Sequence, residues 1–232
     1  MAALPSAVKA GGKAVQEKGL DVLNAVNIRN TVGTLVALSA IMFFWRWYQQ
    51  EYGWMYGMDS TAPEFETYWM GLFWVNVISL GILNVAICGY LWMTRDRHLN
   101  ELGPKEEIKR IFNFVLWIAV YVYAVYFAAS FFGEQDAAWH QAVVRDTSFT
   151  PSHIVIFYGT IPLYIAFGLG TFLYGFTRVP MFAKGISVTL VLGVTGPFLI
   201  LPNLGLNEWG HAFWLMEEIF THPLHYGFVV LG

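Results

Sequence analysis

The sequence predicts an all-α, polytopic transmembrane helix bundle with five complete spans, a truncated sixth and a cytoplasmic N-terminus. Three observations carry that reading. Only 12% of the 232 residues are charged and 56% are hydrophobic, whereas an ordinary soluble domain carries roughly 25% charge. The uncharged residues lie in runs near the ~20 that a helix needs to cross about 30 Å of hydrocarbon. The few charges are sorted between alternate loops, as membrane topology demands.

The elements follow in chain order. Residues 1–29 lack the compact apolar core and cleavage site of a secretory signal, and Lys9, Lys13, Lys18 and Arg29 are spread along them, so they read as a retained cytoplasmic or interfacial arm. Within the arm Val15, Val22, Leu23 and Val26 fall roughly on one helical face, which fits a short surface helix. Residues 30–232 form the transmembrane domain. Its uncharged stretches run from Asn30 to Trp45, Thr67 to Thr94, Ile111 to Gly133, Thr147 to Thr177 and Gly185 to Asn207. The first is short, but Arg46 can snorkel to the headgroups while Trp45 and Trp47 anchor the interface. A sixth stretch, from Ile219 to Gly232, reads as a helix cut off before it finishes crossing. A β-barrel would need segments of about ten residues with alternating polarity, and TVGTLVALSAIMFFW is apolar on all sides.

Charge placement tests this map independently. The arm, the Arg95 to Arg110 loop and the Arg178 to Lys184 loop hold 11 of the 13 basic residues. The opposite set, Arg46 to Glu66, Glu134 to Asp146 and Glu208 to Glu218, holds 10 of the 16 acidic residues. Bases gather inside and acids outside, which sets the N-terminus in the cytoplasm. A net charge of −3 with no dense basic stripe gives nucleic acid nothing to bind. With one cysteine, Cys88, the chain alone builds neither a disulfide nor a thiolate zinc or iron–sulfur site. Any metal must be held by His, carboxylate or amide.

Histidine is the most informative asymmetry. Five of six, His140, His153, His211, His222 and His225, lie on or just within the outer side, and only His98 is in a cytoplasmic loop. Two segments share one pattern: Asp136 precedes His140 by four residues and His153 follows thirteen later; Asn207 precedes His211 by four and His225 follows fourteen later. A spacing of four places both side chains on one face of a helical turn. His153 and His225 each stand two residues after a proline, Pro151 or Pro223, suited to the first turn of a helix. The positive end of the helix dipole disfavours imidazolium there and leaves a neutral ring available as a ligand. An Asp with two His is a donor set shared by iron, zinc and copper, so residue types point to a metal and leave its identity open. Asn207 is a neutral, weaker donor, so the second set should bind less firmly. Glu134, Glu208, Glu217 and Glu218 are candidates to orient the imidazoles. His222 fits neither pattern and reads as an interface residue, and the abundant Trp and Tyr as an interfacial belt and packing.

Several long segments carry a resemblance: EYGWMYGMDSTAPEFETYWM (Glu51 to Met70), GYLWMTRDRHL (Gly89 to Leu99), EQDAAWHQAVVRDTSFTPSHI (Glu134 to Ile154), FAKGIS (Phe182 to Ser187), LPNLGLNEWGHAFWLMEEIF (Leu201 to Phe220) and PLHYGFV (Pro223 to Val229). On these the chain resembles the C subunit of particulate methane monooxygenase, in the copper membrane monooxygenase family that includes ammonia and short-chain hydrocarbon monooxygenases. The resemblance implies a helical subunit that assembles with an A subunit, also helical, and a B subunit bearing periplasmic cupredoxin-like domains, as a trimer of heterotrimers in the bilayer of a bacterial inner membrane. It implies oxidation of methane to methanol with O2 and electrons from a quinol. It implies copper as the metal, with Asp136, His140 and His153 matching a membrane site that zinc can also occupy, and Asn207, His211 and His225 matching a second copper site. Within the family, methane oxidation is assigned either to the periplasmic B subunit or to the membrane C subunit; exclusion of bulk water around a reactive copper–oxygen species favours the membrane location. Competing readings are an ammonia monooxygenase of the same family, a proton- or ion-coupled transporter using the same residues as a relay, and a two-histidine haem protein. The transporter would call for paired inverted repeats of broken helices, and a haem would leave Asp136 and Asn207 without a purpose.

Overall fold

The computed structural model describes residues 27–128, 135–136, 139, 149–183, 185 and 187–199. They form helices α1 (Ile28–Tyr56), α2 (Pro63–Met93), α3 (Pro104–Tyr126) and α4 (Pro151–Arg178), each long and apolar enough to cross a membrane. A short α5 (Pro180–Ala183) and α6 (Val188–Thr195), continued by a 3-10 turn Gly196–Leu199, follow. No strand occurs among the described residues. Beyond Leu199 the fifth expected span, and the whole of the sixth, lie outside the described residues, as does the expected surface helix of the arm.

Each start has a local cause. Pro104 and Pro151 open α3 and α4 at the first helical position, where a missing N–H costs nothing. Glu106 and Glu107 in the first turn of α3 face the positive end of its dipole. α3 therefore begins seven residues before the uncharged run at Ile111. Similarly, α1 does not stop at Trp45: it continues through Arg46 to Tyr56, 29 residues or about 44 Å at 1.5 Å per residue. That exceeds the hydrocarbon thickness by about 14 Å. The excess is an aromatic stretch in which Tyr48, Tyr52, Tyr56, Tyr68 and Trp69 form successive ring contacts 4.6–5.5 Å between centroids.

α4 is the central helix. Its apolar window is 67% buried against 22–28% for the other three, so α1, α2 and α3 leave much of their apolar surface uncovered by the described residues. Val75, Ile78, Ile82 and Val85 on α2 are exposed accordingly. Small residues let helices approach α4 closely. A Cβ at Gly168 would stand 2.9 Å from Tyr121 and from Phe198, at Gly170 2.9 Å from Ile87, and at Gly175 2.9 Å from Phe114. Tyr121 Oη then donates to Val194 O at 2.7 Å, tying α3 to α6.

The basic segments collect at one end of the bundle. Asp96 N–H donates to Thr177 O at 3.2 Å, Arg110 pairs with Asp96 at 2.8 Å and donates to Arg178 O at 3.0 Å, and Asn27 N–H donates to Asn113 Oδ1 at 2.9 Å. The start of α1, the α2–α3 loop and the end of α4 thus share that end, and Asp136, Trp139 and Pro151 cluster at the other.

Candidate metal centre

His153 stands at the third position of α4, as the placement of Pro151 in a first helical turn predicts. Thr150 takes the extended cap conformation (φ −62°, ψ 156°) and Pro151 the first turn, although the Thr150 hydroxyl makes no capping hydrogen bond. The His153 side chain is 1% exposed and that of Asp136 20% exposed. His153 Nε2 lies 3.4 Å from Asp136 Oδ1. That separation is longer than the 2.7–2.9 Å of a charge-assisted N–H···O bond. It falls within ion-pair range and also close to the roughly 3.3 Å edge between two donors each about 2.0–2.1 Å from a tetrahedral metal, so the distance is compatible with both.

The His153 ring stacks on Phe157 with centroids 4.5 Å apart and planes at 23°, one helical turn onward, which fixes its orientation. Immediately after it the helix widens into a π turn, Ile156–Thr160, a feature frequent at functional sites. Gly159 in that turn borders Asn76 Nδ2 and the Trp45 ring, each 3.3 Å from where a Cβ would stand. α2 carries its own π turn, Glu66–Met70, around the fully buried Trp69.

The outer part of α1 closes the site from one side. At Gly57 a Cβ would overlap the Pro151 ring and come within 3.1 Å of Trp69 Nε1; at Gly53 it would lie 3.3 Å from the Trp139 ring. Trp139 stacks on Trp54 at 5.0 Å and is itself buried. Gly53 on α1 and Gly57, which caps its C-terminal end, thus admit Trp139 and the N-terminus of α4 respectively. Several buried polar atoms here, Trp69 Nε1, Trp139 Nε1, Thr150 Oγ1, Ser152 Oγ and Asn76 Nδ2, have no hydrogen-bond partner among the described residues. Burying such atoms unpaired is costly, so partners for them are to be sought among waters and the neighbouring residues outside the described ones.

Of the first predicted set, Asp136 and His153 are brought together. His140 lies outside the described residues, as do Asn207, His211 and His225, Glu134, Glu208, Glu217, Glu218 and His222. Among the described residues no three His, Cys, Asp or Glu side chains converge. His98, in the α2–α3 loop, pairs with Glu101 at 3.3 Å on an exposed surface at the opposite end. Sequence reading missed Gly53, Gly57, Trp69, Trp139 and Asn76. A signal existed for two kinds: the Gly pair spaced by four, and Asn76 as a lone amide within an apolar run.

Comparison with known proteins agrees with this architecture. No curated protein matches the chain. The family model described as the C subunit of ammonia monooxygenase/methane monooxygenase matches residues 12–232, a stretch that includes α1 to α6 and both histidine sets. The chain belongs to that family, as a membrane subunit of an ammonia/methane monooxygenase.

Proposed function

We propose that this chain is the membrane subunit of a copper-dependent monooxygenase that oxidises methane, CH4 + O2 + 2 e⁻ + 2 H⁺ giving CH3OH + H2O, with a quinol-type reductant. Asp136, His140 and His153 hold copper, and Asn207, His211 and His225 form a second, weaker site. The observation that carries this reading is the approach of Asp136 Oδ1 and His153 Nε2 to 3.4 Å at a buried helix start, in a chain of the ammonia/methane monooxygenase family. Copper bound there supplies the one-electron chemistry that activates O2; zinc accepts the same donors.

The protein's own contribution is placement and dryness. Pro151 and the first turn of α4 aim Nε2 at the site, and Phe157 holds the ring. Ile154 and Val155, which follow His153 on α4, are buried, as is Trp69 beside Gly57, and they limit access of bulk water, the condition under which a strong oxidant spares its surroundings. Glu134 and Glu208 serve as orienting partners for the imidazoles. The chain acts with A and B subunits in a trimer of heterotrimers, in a bacterial inner membrane. The histidine-bearing end faces the periplasm, a reading supported by the gathering of basic segments at the other end.

Metal analysis of the assembled complex tests this. Asp136→Ala and His153→Ala should each remove about one metal equivalent per protomer relative to the unaltered complex, and copper content unchanged in both would overturn the assignment. Ammonia remains the second reading, because the family description names both substrates. Oxidation rates with the two gases supplied in competition separate them: methane turnover dominating supports the proposal, and ammonia dominating replaces the substrate.

A further inference from the structure

At the end of the bundle opposite His153, α1, α2, α3 and α4 enclose a cavity of about 500 Å³, within the size range of ligand pockets, roughly 300–1,000 Å³. Its wall is two-sided. Leu91, Trp117, Phe167 and Tyr174 line an apolar interior, and Asn27, Asn30 and Arg178 form the polar part. Arg178 is the one charged residue among the described residues that line it.

That guanidinium is held firmly, lies 5.5 Å from the Tyr174 ring centroid, and hydrogen-bonds no carboxylate among the described residues. Nη1 donates to Leu91 O at 3.2 Å and to Thr177 Oγ1 at 2.6 Å, and Nη2 donates to Thr94 O at 3.3 Å and to Thr94 Oγ1 at 2.5 Å. Every one of these acceptors is neutral. The nearby carboxylate, Asp96, is engaged by Arg110 at 2.8 Å. Among the described residues its hydrogen-bond acceptors are all neutral and Asp96 adds only a longer-range attraction, so the Nε–H and the positive charge are left to attract an anion such as phosphate. The first turn of α1 adds to this field: Asn27 makes no side-chain cap and no acidic residue stands in that turn, so among the described residues no side chain caps the N–H groups at the rim beside Asn27 and Asn30.

We propose that this cavity binds one anionic phospholipid, its phosphate at Arg178 and the first turn of α1, and one acyl chain along the apolar interior between α2 and α4. The surrounding loops match a lipid source, since Arg29, Arg95, Arg97, Lys105 and Lys109 lie in the segments at this end, and basic pockets between helices on a cytoplasmic face favour anionic headgroups. The site is remote from the histidine-bearing end and independent of the metal there.

The test uses the whole complex, purified in zwitterionic detergent, reloaded with equal phosphatidylglycerol and phosphatidylcholine of identical acyl chains, and weighed by native mass spectrometry. The unaltered complex should retain one phosphatidylglycerol per chain with at least about a five-fold preference over phosphatidylcholine. Arg178→Gln should bring that preference close to unity. Thr34→Trp, which fills the cavity from α1 and leaves every Arg178 bond in place, should abolish retention of both lipids, and it decides the matter even where Arg178→Gln fails to assemble. Size-exclusion chromatography checks assembly of each variant. Equal retention of the two lipids by the unaltered complex, retention of a neutral quinone in their place, or full phosphatidylglycerol retention by assembled Thr34→Trp would each overturn the proposal.

Discussion

Gly57 shows how much of the site depends on single positions. With the Pro151 ring and Trp69 Nε1 both against it, Gly57→Ala must push α1 away from the start of α4. Overpacking of this kind costs about 1–3 kcal/mol, read as a lowered Tm of the complex and a reduced metal content. Gly33→Ala, also on α1 but with nothing within 4 Å, should leave both unchanged or slightly raise Tm. Ligand strength is tested at Asp136. Asp136→Asn keeps shape and removes charge, so copper affinity measured by chelator competition should fall at least about tenfold, whereas Asn207→Ala should lose less metal than Asp136→Ala under the same copper supply. His153 was legible because Pro151 announces a helix start by simple backbone chemistry. The glycines' partners were not, because which ring lies opposite a glycine is a tertiary fact that spacing does not encode.

At the level of elements, the apolar runs located four helices well and their ends poorly. An uncharged-run criterion halts at Arg46, but a helix needs hydrogen bonds and not apolarity to continue, so α1 carries on to Tyr56. The π turns in α2 and α4 were illegible for a related reason, since their extra residue is accommodated by packing around Trp69 and Gly159. Packing on α4 predicts that Gly168→Leu, facing Tyr121 and Phe198, separates α3 and α6 and reduces the yield of assembled complex. The α2–α3 loop carries a pH signature. The Asp96 carboxyl is held below its ordinary pKa first by the His98 backbone N–H and then by the Arg110 guanidinium. A depressed carboxylate stabilises the fold above its unfolded pKa, about 3.9, and that stability is lost as pH falls through the lower folded value. The protection of the His98 and Asp96 amides, exchange being corrected for its intrinsic pH dependence, should therefore fall on acidification, and Asp96→Asn should remove that pH dependence.

For the molecule as a whole, sorted charge turned out to be sorted space: the start of α1, the α2–α3 loop and the end of α4 meet through Asn113, Arg110 and Arg178, while Asp136 and His153 meet at the far end. Sequence could anticipate that division because alternate loops of a membrane bundle must alternate sides. It could not show how closely two residues seventeen apart in the chain approach. The cytoplasmic assignment of the basic end predicts that Arg97→Cys is labelled by an impermeant maleimide in inverted membrane vesicles and not in intact spheroplasts, with labelling in spheroplasts reversing the topology. The central claim, a copper site at the start of α4, is tested most directly by anomalous scattering at the copper edge from crystals of the complete complex grown in lipid with copper supplied. The account predicts a copper peak about 2.0–2.1 Å from both Asp136 Oδ1 and His153 Nε2. Copper peaks elsewhere in the complex with none between these two atoms would contradict it.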